Sequence, residues 1–300
     1  MSHFCQEQKK NSVYSKWVGG MEHIGITEKH IDIQSAINYI LAFQNQPLLA
    51  KNFLSIDKKL LTESENITTA ILKNLGNTIK DYGNNSDIAS VYDFSFIFYP
   101  QRVEAISKIS KVLDFGAGYG RQANLFTKTA SQYWATDAIE SSYMTQKIYL
   151  SELSKLKNID YYNSLDVPIE YNEIKDKKGI FHLPSWELPT LDKEYFDIII
   201  FSHILPELPE ETFEKVFPML MDLIRPDGFL YIRDHGIWWQ PGHLYDVDKI
   251  LTENGFILEY SLYARDKNDI HGIPRIYRKL SKDITHKVTR KIIKSYESKN

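Results

Sequence analysis

The chain has 300 residues, of which 43% are hydrophobic and 25% are charged, as expected for one large globular domain or one domain with a smaller appendage. No window approaches about 18 uninterrupted apolar residues, and the first residues lack an apolar signal segment, so we expect neither a membrane span nor export. The single cysteine, Cys5, excludes an intramolecular disulfide and favours a reducing, cytoplasmic location.

Charge is distributed unevenly along the chain. Residues 275–300 hold nine Lys or Arg against two acids, a net of +7, so the remainder carries −10 of the overall −3. An acidic body argues against a nucleic-acid partner, because binding phosphates needs a basic face. The basic segment has apolar residues at every fourth position, which predicts a helix or tail packed on the acidic body. The alternative is peripheral binding to an anionic membrane surface.

The N-terminal third, residues 1–100, is predicted to be a helical layer. One amphipathic helix begins near Thr27 and ends at Pro47, and a second runs through 67–79 and ends at Gly83. The polar run 84–87 indicates a turn.

Residues 91–100 form a densely aromatic run that includes Asp93 and Tyr99. One interpretation is core packing between the helical layer and the rest of the chain. The other is a wall of a binding site, in which Tyr99 contacts a ligand, because aromatic faces suit sugars and flat ligands. The sequence leaves both open.

From residue 101, strands alternate with helices, which is the signature of an α/β fold with a mostly parallel sheet. We interpret the polar segment 157–179 as an insertion. The strands are predicted to end near Asp114, Asp137, Leu183, His203, Arg233, Tyr263 and Leu280.

A glycine-rich turn follows the first of these strands, with Asp114 before Gly116, Gly118 and Gly120. Alternate glycines let backbone N–H groups approach a ligand closely. The dinucleotide fingerprint places its third glycine one residue later, where this chain has Arg121. An acid that closes the first strand instead suits a ligand with an amino-bearing end, such as S-adenosylmethionine.

Asp137 ends the second predicted strand, 17 residues after Gly120. A carboxylate at this position can accept hydrogen bonds from both hydroxyls of a ribose. The alternative is that Asp137 only caps the helix that begins near Ile139.

These features, with 187–189, 195–197 and 224–230, resemble class I S-adenosylmethionine-dependent methyltransferases over about half the chain. The resemblance implies a Rossmann-like, seven-stranded sheet with flanking helices over 101–274, and S-adenosylmethionine as the cofactor. The chain departs from the family pattern where the family places its adenine contact. We therefore expect Ser185 and Trp186 to replace that contact, and Ser202 to complete the cofactor site.

Methyl transfer to a hydroxyl needs an aligned acceptor and a base for its proton. The two candidates are His203 and His235, which follow the fourth and fifth strands, although either could simply bond a loop carbonyl. We expect four further residues at the acceptor site: Glu207, Asp234, Trp238 and Trp239. Asp234, His235 and His243 could ligate a metal, but the fourth strand ends without an acid, so we predict no metal.

Three stretches, 116–120, 144–151 and 202–209, resemble bacterial sugar O-methyltransferases. The resemblance implies a sugar hydroxyl as acceptor, in surface polysaccharide synthesis, with Asp93 or Asp166 as a hydroxyl partner and aromatic residues such as Tyr161 and Tyr162 as stacking surfaces. Two alternatives stay open. The acceptor is an amine or a carboxylate, or the chain is a non-catalytic partner subunit that keeps the fold.

Overall fold

The computed structural model describes residues 32–46, 56–98, 109–160, 162–164, 171–205, 208, 210–233, 247–261 and 274–281.

A single twisted sheet forms the centre of the described structure. Its eight described strands lie in the order β3-β4-β2-β1-β5-β6-β8-β7. All neighbouring pairs are parallel except those of β8, which runs antiparallel to both β6 and β7. The strands are β1 (Lys111–Phe115), β2 (Gln132–Asp137), β3 (Tyr162–Ser164), β4 (Gly179–Pro184), β5 (Phe196–Ser202), β6 (Ile224–Arg233), β7 (Phe256–Ser261) and β8 (Arg275–Lys279). This confirms the predicted Rossmann-like, mostly parallel sheet with flanking helices, and β3 adds an eighth strand to the seven predicted.

Helices cover both faces of the sheet. They are α1 (Ile33–Asn45), α2 (Lys58–Asn74), α3 (Asn85–Phe98), α4 (Ala123–Phe126), α5 (Glu140–Lys157), α6 (Tyr171–Ile174), α7 (Glu210–Leu223) and α8 (Val247–Glu253), with a 3₁₀ helix at Ser185–Thr190. The strand order reverses at β1, so the carboxyl ends of β1 and β5 form the crevice in which open α/β sheets bind ligands. No helix in the described ranges is long and apolar enough to cross a membrane.

Strand β1 shows how the two faces are divided. Leu113 and Phe115 belong to the core that α7 and α8 cover, whereas Val112 belongs to the core shared with α1, α2, α3 and α5. Side chains that alternate along a strand buried on both faces produce this division. The N-terminal helices therefore pack directly on the sheet.

The described part of the aromatic run, residues 91–98, packs in the core, which confirms for these residues the interpretation as core packing. Phe94 packs edge-on against Phe126 at a centroid distance of 5.3 Å, and Phe96 lies 5.9 Å from Tyr231 on β6. Helix α3 is thereby fixed across the sheet.

Two predictions of local structure were wrong. Helix α2 ends at Asn74 rather than near Gly83, because Gly76 (φ +92°) turns the chain and Asn77 N–H bonds back to the Leu72 carbonyl. The segment interpreted as an insertion contains β3 and α6. The predicted basic helix or tail stays a prediction, because residues 282–300 lie outside the described residues.

The polar run 84–87 does not form a turn but begins α3 at Asn85. Its acid Asp87 is buried, and it accepts hydrogen bonds from Ser64 (2.6 Å), Thr68 (3.0 Å) and Gln44 (2.7 Å). Burial raises the pKa of Asp87, while these three bonds oppose the rise. The three N-terminal helices therefore share one buried polar cluster.

Substitution of Gly120 would show how closely α5 packs on the turn after β1. It has φ +84°, and an added Cβ would lie 2.9 Å from Leu150 Cδ2, whereas Gly76 has φ +92° with nothing within 4 Å. Gly76→Ala should lower the free energy of unfolding by about 1–2 kcal/mol through backbone strain alone. Gly120→Ala should lower it by about 2–4 kcal/mol, because overpacking adds to that strain. Urea denaturation measures both values, and equal losses would contradict the packing account.

Candidate active site

Three glycines shape the turn after β1, and all three have left-handed backbone angles: Gly116 (φ +69°), Gly118 (φ +61°) and Gly120 (φ +84°). Their surroundings differ. A Cβ on Gly116 would lie 2.2 Å from Ile204 Cδ1, and one on Gly120 would meet Leu150. At Gly118 the nearest atoms belong to the Phe43 ring, 3.9 Å away. At Gly118 an added Cβ would make only ordinary contact with Phe43, whereas Gly116 and Gly120 permit close packing that a Cβ would prevent.

The turn is tied to β2. The N–H groups of Gly116 and Ala117 both donate to the Thr136 carbonyl, at 3.0 and 3.1 Å. From the other side, Gln44 of α1 donates to the Tyr119 hydroxyl at 3.2 Å. Helix α1 and strand β2 therefore hold the turn between them.

Asp137 is buried at the end of β2, beside the turn. One carboxylate oxygen, Oδ1, accepts the Ile139 N–H at 2.9 Å. Ile139 is itself the N-cap residue of α5, so Asp137 lies two residues before the cap and does not cap the helix. The other, Oδ2, accepts a longer bond from Gln146 Nε2 at 3.3 Å. Burial raises the pKa of Asp137 to about 7, although the backbone amides of Ile139, Ala138 and Gly118 oppose the rise.

These residues fit the nucleoside half of S-adenosylmethionine. A buried carboxylate is poorly solvated and gains most from added donors, and a ribose diol brings two O–H groups. Asp137 and the turn at Gly118 would hold that end, because Asp137 supplies acceptor oxygens and Gly118 carries no side chain between the turn and a ligand. The cofactor end of the sheet is therefore chemically suited to the predicted ligand.

Asp114 faces the N-terminal helices rather than an open space. It is buried in β1, and its Oδ2 accepts the Tyr133 hydroxyl proton at 2.6 Å. Burial raises the pKa of Asp114 to about 7, while the Tyr133 bond and the charge of Arg121 oppose the rise. Contact between Asp114 and the amino group of the cofactor stays a prediction.

The strongest electrostatic feature of the site is the ion pair of Asp93 with Arg233. Asp93 is fully buried on α3 and Arg233 is 5% exposed at the end of β6. The guanidinium contacts both carboxylate oxygens through Nε and Nη2, the latter at 2.8 Å. Burial would raise the pKa of Asp93, but Arg233 outweighs it and lowers that pKa. Both groups are therefore charged in the folded protein.

Other polar groups join this pair, which we call the Asp93 network. Tyr231 donates to Asp93 Oδ1 at 2.6 Å, and Ser202 donates to Oδ2 at 3.0 Å. Ser202 also accepts from Arg233 (2.8 Å) and from Arg121 (3.2 Å), so its hydroxyl is fully used within the network. The hydroxyl of Ser202 would have to leave this arrangement to contact a cofactor, and its predicted cofactor role stays untested. The predicted role of Asp93 as a sugar partner was wrong, because its oxygens are already occupied.

Arg121 is the loosely held cation of the network. Its contacts to Asp93 (3.5 Å), Ser202 (3.2 Å) and the Ser86 carbonyl (3.3 Å) are all long. The network contains two guanidinium groups and one carboxylate, and Asp114, which also interacts with Arg121, has a pKa of about 7. The carboxyl ends of β5 and β6 therefore carry one excess positive charge while Asp114 is protonated.

His203 has an unusual backbone for a residue that is not glycine, with φ +63°. Its N–H donates to the Arg233 carbonyl at 2.9 Å, and its Nε2 contacts Arg233 Nη1. Arginine has no acceptor, so Nε2 must be the acceptor and the ring proton must lie on Nδ1. The lone pair that a base would use is thus directed at Arg233.

The predicted adenine contacts lie after β4. The Ser185 hydroxyl is buried 3.0 Å from Thr136 Oγ1, and Trp186 is half-buried against the core that α7 covers. Both remain predictions as cofactor residues. Six further predicted site residues lie outside the described residues, namely Tyr99, Glu207, Asp234, His235, Trp238 and Trp239. Within the described residues, no three His, Cys, Asp or Glu side chains form a group that could hold a metal.

Sequence reasoning missed Arg233 and Gln146 as site residues. A signal for Arg233 existed, because a charged residue ending the apolar run 229–232 must find a partner when it is buried. The sequence contains no such signal for Gln146, because its importance depends on contacts with Gly118 and Asp137, which the local pattern of a helix does not reveal.

The Asp93 network should behave as a buried ion pair. Asp93→Asn or Arg233→Met should each lower the free energy of unfolding by about 3–5 kcal/mol, because either leaves one buried charge without its partner. The double variant should lose less than the sum of the two. Lys215→Ala, which removes the exposed pair with Glu211, should change stability by less than about 1 kcal/mol. Denaturant titrations of all four variants measure this, and strictly additive losses would contradict the pairing.

Cofactor binding should depend on pH through Asp137. Ribose hydroxyls favour the carboxylate, so the affinity for S-adenosylhomocysteine should be full above pH 7 and fall by up to about tenfold per pH unit below it. Asp137→Asn should bind more weakly and lose this dependence, whereas Asp114→Asn should retain it. Isothermal titration between pH 5.5 and 8.5 gives the profile, and an unchanged slope in Asp137→Asn would assign the dependence to another group.

Many solved structures are similar to this chain at low sequence identity, among them three methyltransferases. An S-adenosylmethionine-dependent methyltransferase from Methanosarcina mazei is 15% identical with a TM-score of 0.42, over 61% of this chain and 98% of that one. The N-methyltransferase NodS from Bradyrhizobium japonicum, in complex with S-adenosylhomocysteine, is 12% identical with a TM-score of 0.45, over 72% of this chain and 100% of that one. The 1,6-didemethyltoxoflavin-N1-methyltransferase from Burkholderia thailandensis is 16% identical with a TM-score of 0.42, over 76% of this chain and 92% of that one. A comparison with curated proteins found no match.

A family model described as a methyltransferase domain matches residues 74–267, which is well over half of the chain. The matched region contains the glycine turn, Asp137 and the Asp93 network, and it covers the sheet from β1 to β7. The chain belongs to the methyltransferase-domain family, as a class I enzyme fold whose cofactor is S-adenosylmethionine.

Proposed function

We propose that this methyltransferase methylates an oxygen atom of a small acceptor, and that the oxygen is a sugar hydroxyl in bacterial surface polysaccharide synthesis. The observation that supports an oxygen acceptor is the guanidinium of Arg121, which long contacts alone hold near the carboxyl end of β5. S-adenosylmethionine supplies a methyl group already activated by its sulfonium. The protein's part is to align the acceptor and, for a hydroxyl, to remove its proton. The choice of a sugar rests on the resemblance of the sequence.

A hydroxyl acceptor needs a base, and the contact between His203 and Arg233 bears on which residue that is. In the observed arrangement the Nε2 lone pair of His203 is bound to Arg233, so His203 acts as a base only after Nε2 leaves Arg233. We therefore propose His235 as the base and His203 as a positioning residue of the acceptor site. The acceptor side would be completed by Tyr99, Glu207, Asp234, Trp238 and Trp239.

A carboxylate acceptor is the second candidate, and the excess positive charge of the Asp93 network favours it. Arg121 is held by long contacts only, so its guanidinium is the group most able to turn toward an anion. A carboxylate also carries no proton at neutral pH, so it needs no base. A protonated amine would be repelled by the same charge, which places amine acceptors behind both oxygen acceptors.

The two oxygen acceptors give chemically different products. The protein is incubated with tritiated S-adenosylmethionine and a mixture of bacterial glycan precursors that includes neutral sugars and uronic acids. Transfer to a hydroxyl gives an ether whose label survives mild alkali, whereas transfer to a carboxylate gives an ester that releases volatile methanol. We expect the alkali-stable product, and Arg121→Gln should reduce an ester-forming activity at least tenfold, as loss of a charge-assisted contact implies.

Control experiments distinguish transfer to a hydroxyl or a carboxylate from the absence of methyltransferase activity. Lys215→Ala removes an exposed cation of α7 and should leave either activity unchanged. Label in an N-methyl product would contradict oxygen transfer. No transfer at all, by folded protein that binds the cofactor, would contradict catalysis and favour the remaining alternative, a non-catalytic partner subunit.

A further inference from the structure

Gln146 lies on the first half of α5 and is completely buried. Its Nε2 donates to the Gly118 carbonyl at 2.9 Å and to Asp137 Oδ2 at 3.3 Å. One side chain thus links the glycine turn to the acid at the end of β2. These are the two features between which the nucleoside of the cofactor is expected to bind.

The orientation of this amide is fixed by its neighbours. The Gly118 carbonyl can only accept a hydrogen bond, so the nitrogen must face it. Turning the amide over would place Oε1 against that carbonyl and against Asp137, oxygen against oxygen. The assignment of nitrogen and oxygen in Gln146 therefore follows from the contacts.

With Nε2 so placed, Oε1 has no hydrogen-bond partner among the described residues, although it is fully buried. A buried acceptor left without a donor costs about 1–3 kcal/mol, so such atoms are uncommon in folded proteins and mark places where a partner belongs. The missing partner must be a hydrogen-bond donor, because Oε1 can only accept.

The neighbouring acid shows what kind of donor that is. Asp137 Oδ1 accepts the Ile139 N–H, and Oδ2 accepts the long bond from Gln146. The backbone amides of Ala138 and Gly118 also stabilise this carboxylate, whose two oxygens can together accept about four hydrogen bonds. A ribose carries two adjacent hydroxyls, and each can donate one proton. Two donors and two adjacent acceptors, Asp137 Oδ2 and Gln146 Oε1, match in number and in kind.

We propose that Gln146 is a second ribose-binding residue, whose Oε1 accepts a hydrogen bond from one ribose hydroxyl while Asp137 accepts from the other. Nε2 keeps its bond to the Gly118 carbonyl, so the turn and the acid stay in register when the cofactor is bound. Gln146 thereby selects a cofactor with an intact diol. The inference concerns the cofactor and is independent of the acceptor.

A thermodynamic cycle tests the contact directly. Isothermal titration measures binding of S-adenosylhomocysteine and of its 2′-deoxy and 3′-deoxy analogues to the wild type and to Gln146→Met. For the parent ligand the variant should lose roughly tenfold in affinity, as expected for one buried hydrogen bond. For one of the deoxy analogues that loss should shrink to about twofold or less, because the hydroxyl that Gln146 binds is already missing.

The matched control is Gln44→Met. Gln44 is also buried with a partnerless Oε1, but its Nε2 bonds Asp87 and Tyr119 rather than Asp137. Its substitution should weaken all three ligands by the same factor, or none of them. If Gln146→Met does not fold, Gln146→Asn keeps the amide, shortens the side chain by one methylene and should show the same loss of discrimination.

Two results would overturn the proposal. An equal loss for all three ligands would mean that Gln146 only supports the turn, and no loss for any of them would mean that it does not contact the ribose. Failure of the wild type to bind S-adenosylhomocysteine would instead count against the cofactor site as a whole.

Discussion

The buried ion pair between Asp93 and Arg233 is the interaction that joins the N-terminal helices to the carboxyl end of the sheet, where the candidate site lies. Asp93 belongs to α3, and Arg233 ends β6, 140 residues later. The same carboxylate holds Ser202 at the end of β5 and lies 3.5 Å from Arg121 beyond the glycine turn. A buried charge without its partner is costly, so α3 cannot move away from the sheet without exposing or stranding Arg233. The helical layer is therefore fixed to the end of the sheet at which the candidate site lies.

The cofactor half is constrained in a different way, by close packing around the glycine turn. Leu150 of α5 and Ile204 after β5 occupy the space that a Cβ would need at Gly120 and Gly116. Asp137 and Gln146 lie beside this turn and are buried. In the proposed complex, their bonds to Ile139 and Gly118 already hold these two side chains, so little further ordering of them would be needed when the nucleoside binds.

Local patterns were enough to predict the sheet and the position of the cofactor turn, because both depend on residues near one another in sequence. Apolar runs such as 196–201 and the register of Gly116, Gly118 and Gly120 carry their meaning within ten residues. The polar interior could not be predicted in this way. Asp87 was taken for part of a turn, and Asp93 for a sugar ligand, because both have partners on distant elements. Burial of an acid is decided by those partners, which no periodicity reveals.

His203 shows how the network decides chemistry as well as structure. A histidine directly after β5 is well placed to be a base, since the unperturbed imidazole titrates near neutral pH. Here its Nε2 faces a guanidinium that is itself fixed by Asp93, so the neutral ring presents Nδ1–H toward its surroundings. The tautomer of His203 is thus set by Asp93 of α3, which fixes Arg233, and Arg233 in turn contacts His203 Nε2. If the acceptor is a hydroxyl, its proton must go to another group or the ion pair must shift. If the acceptor is a carboxylate, the same arrangement needs no change, because a donor and an excess positive charge are what an anion requires.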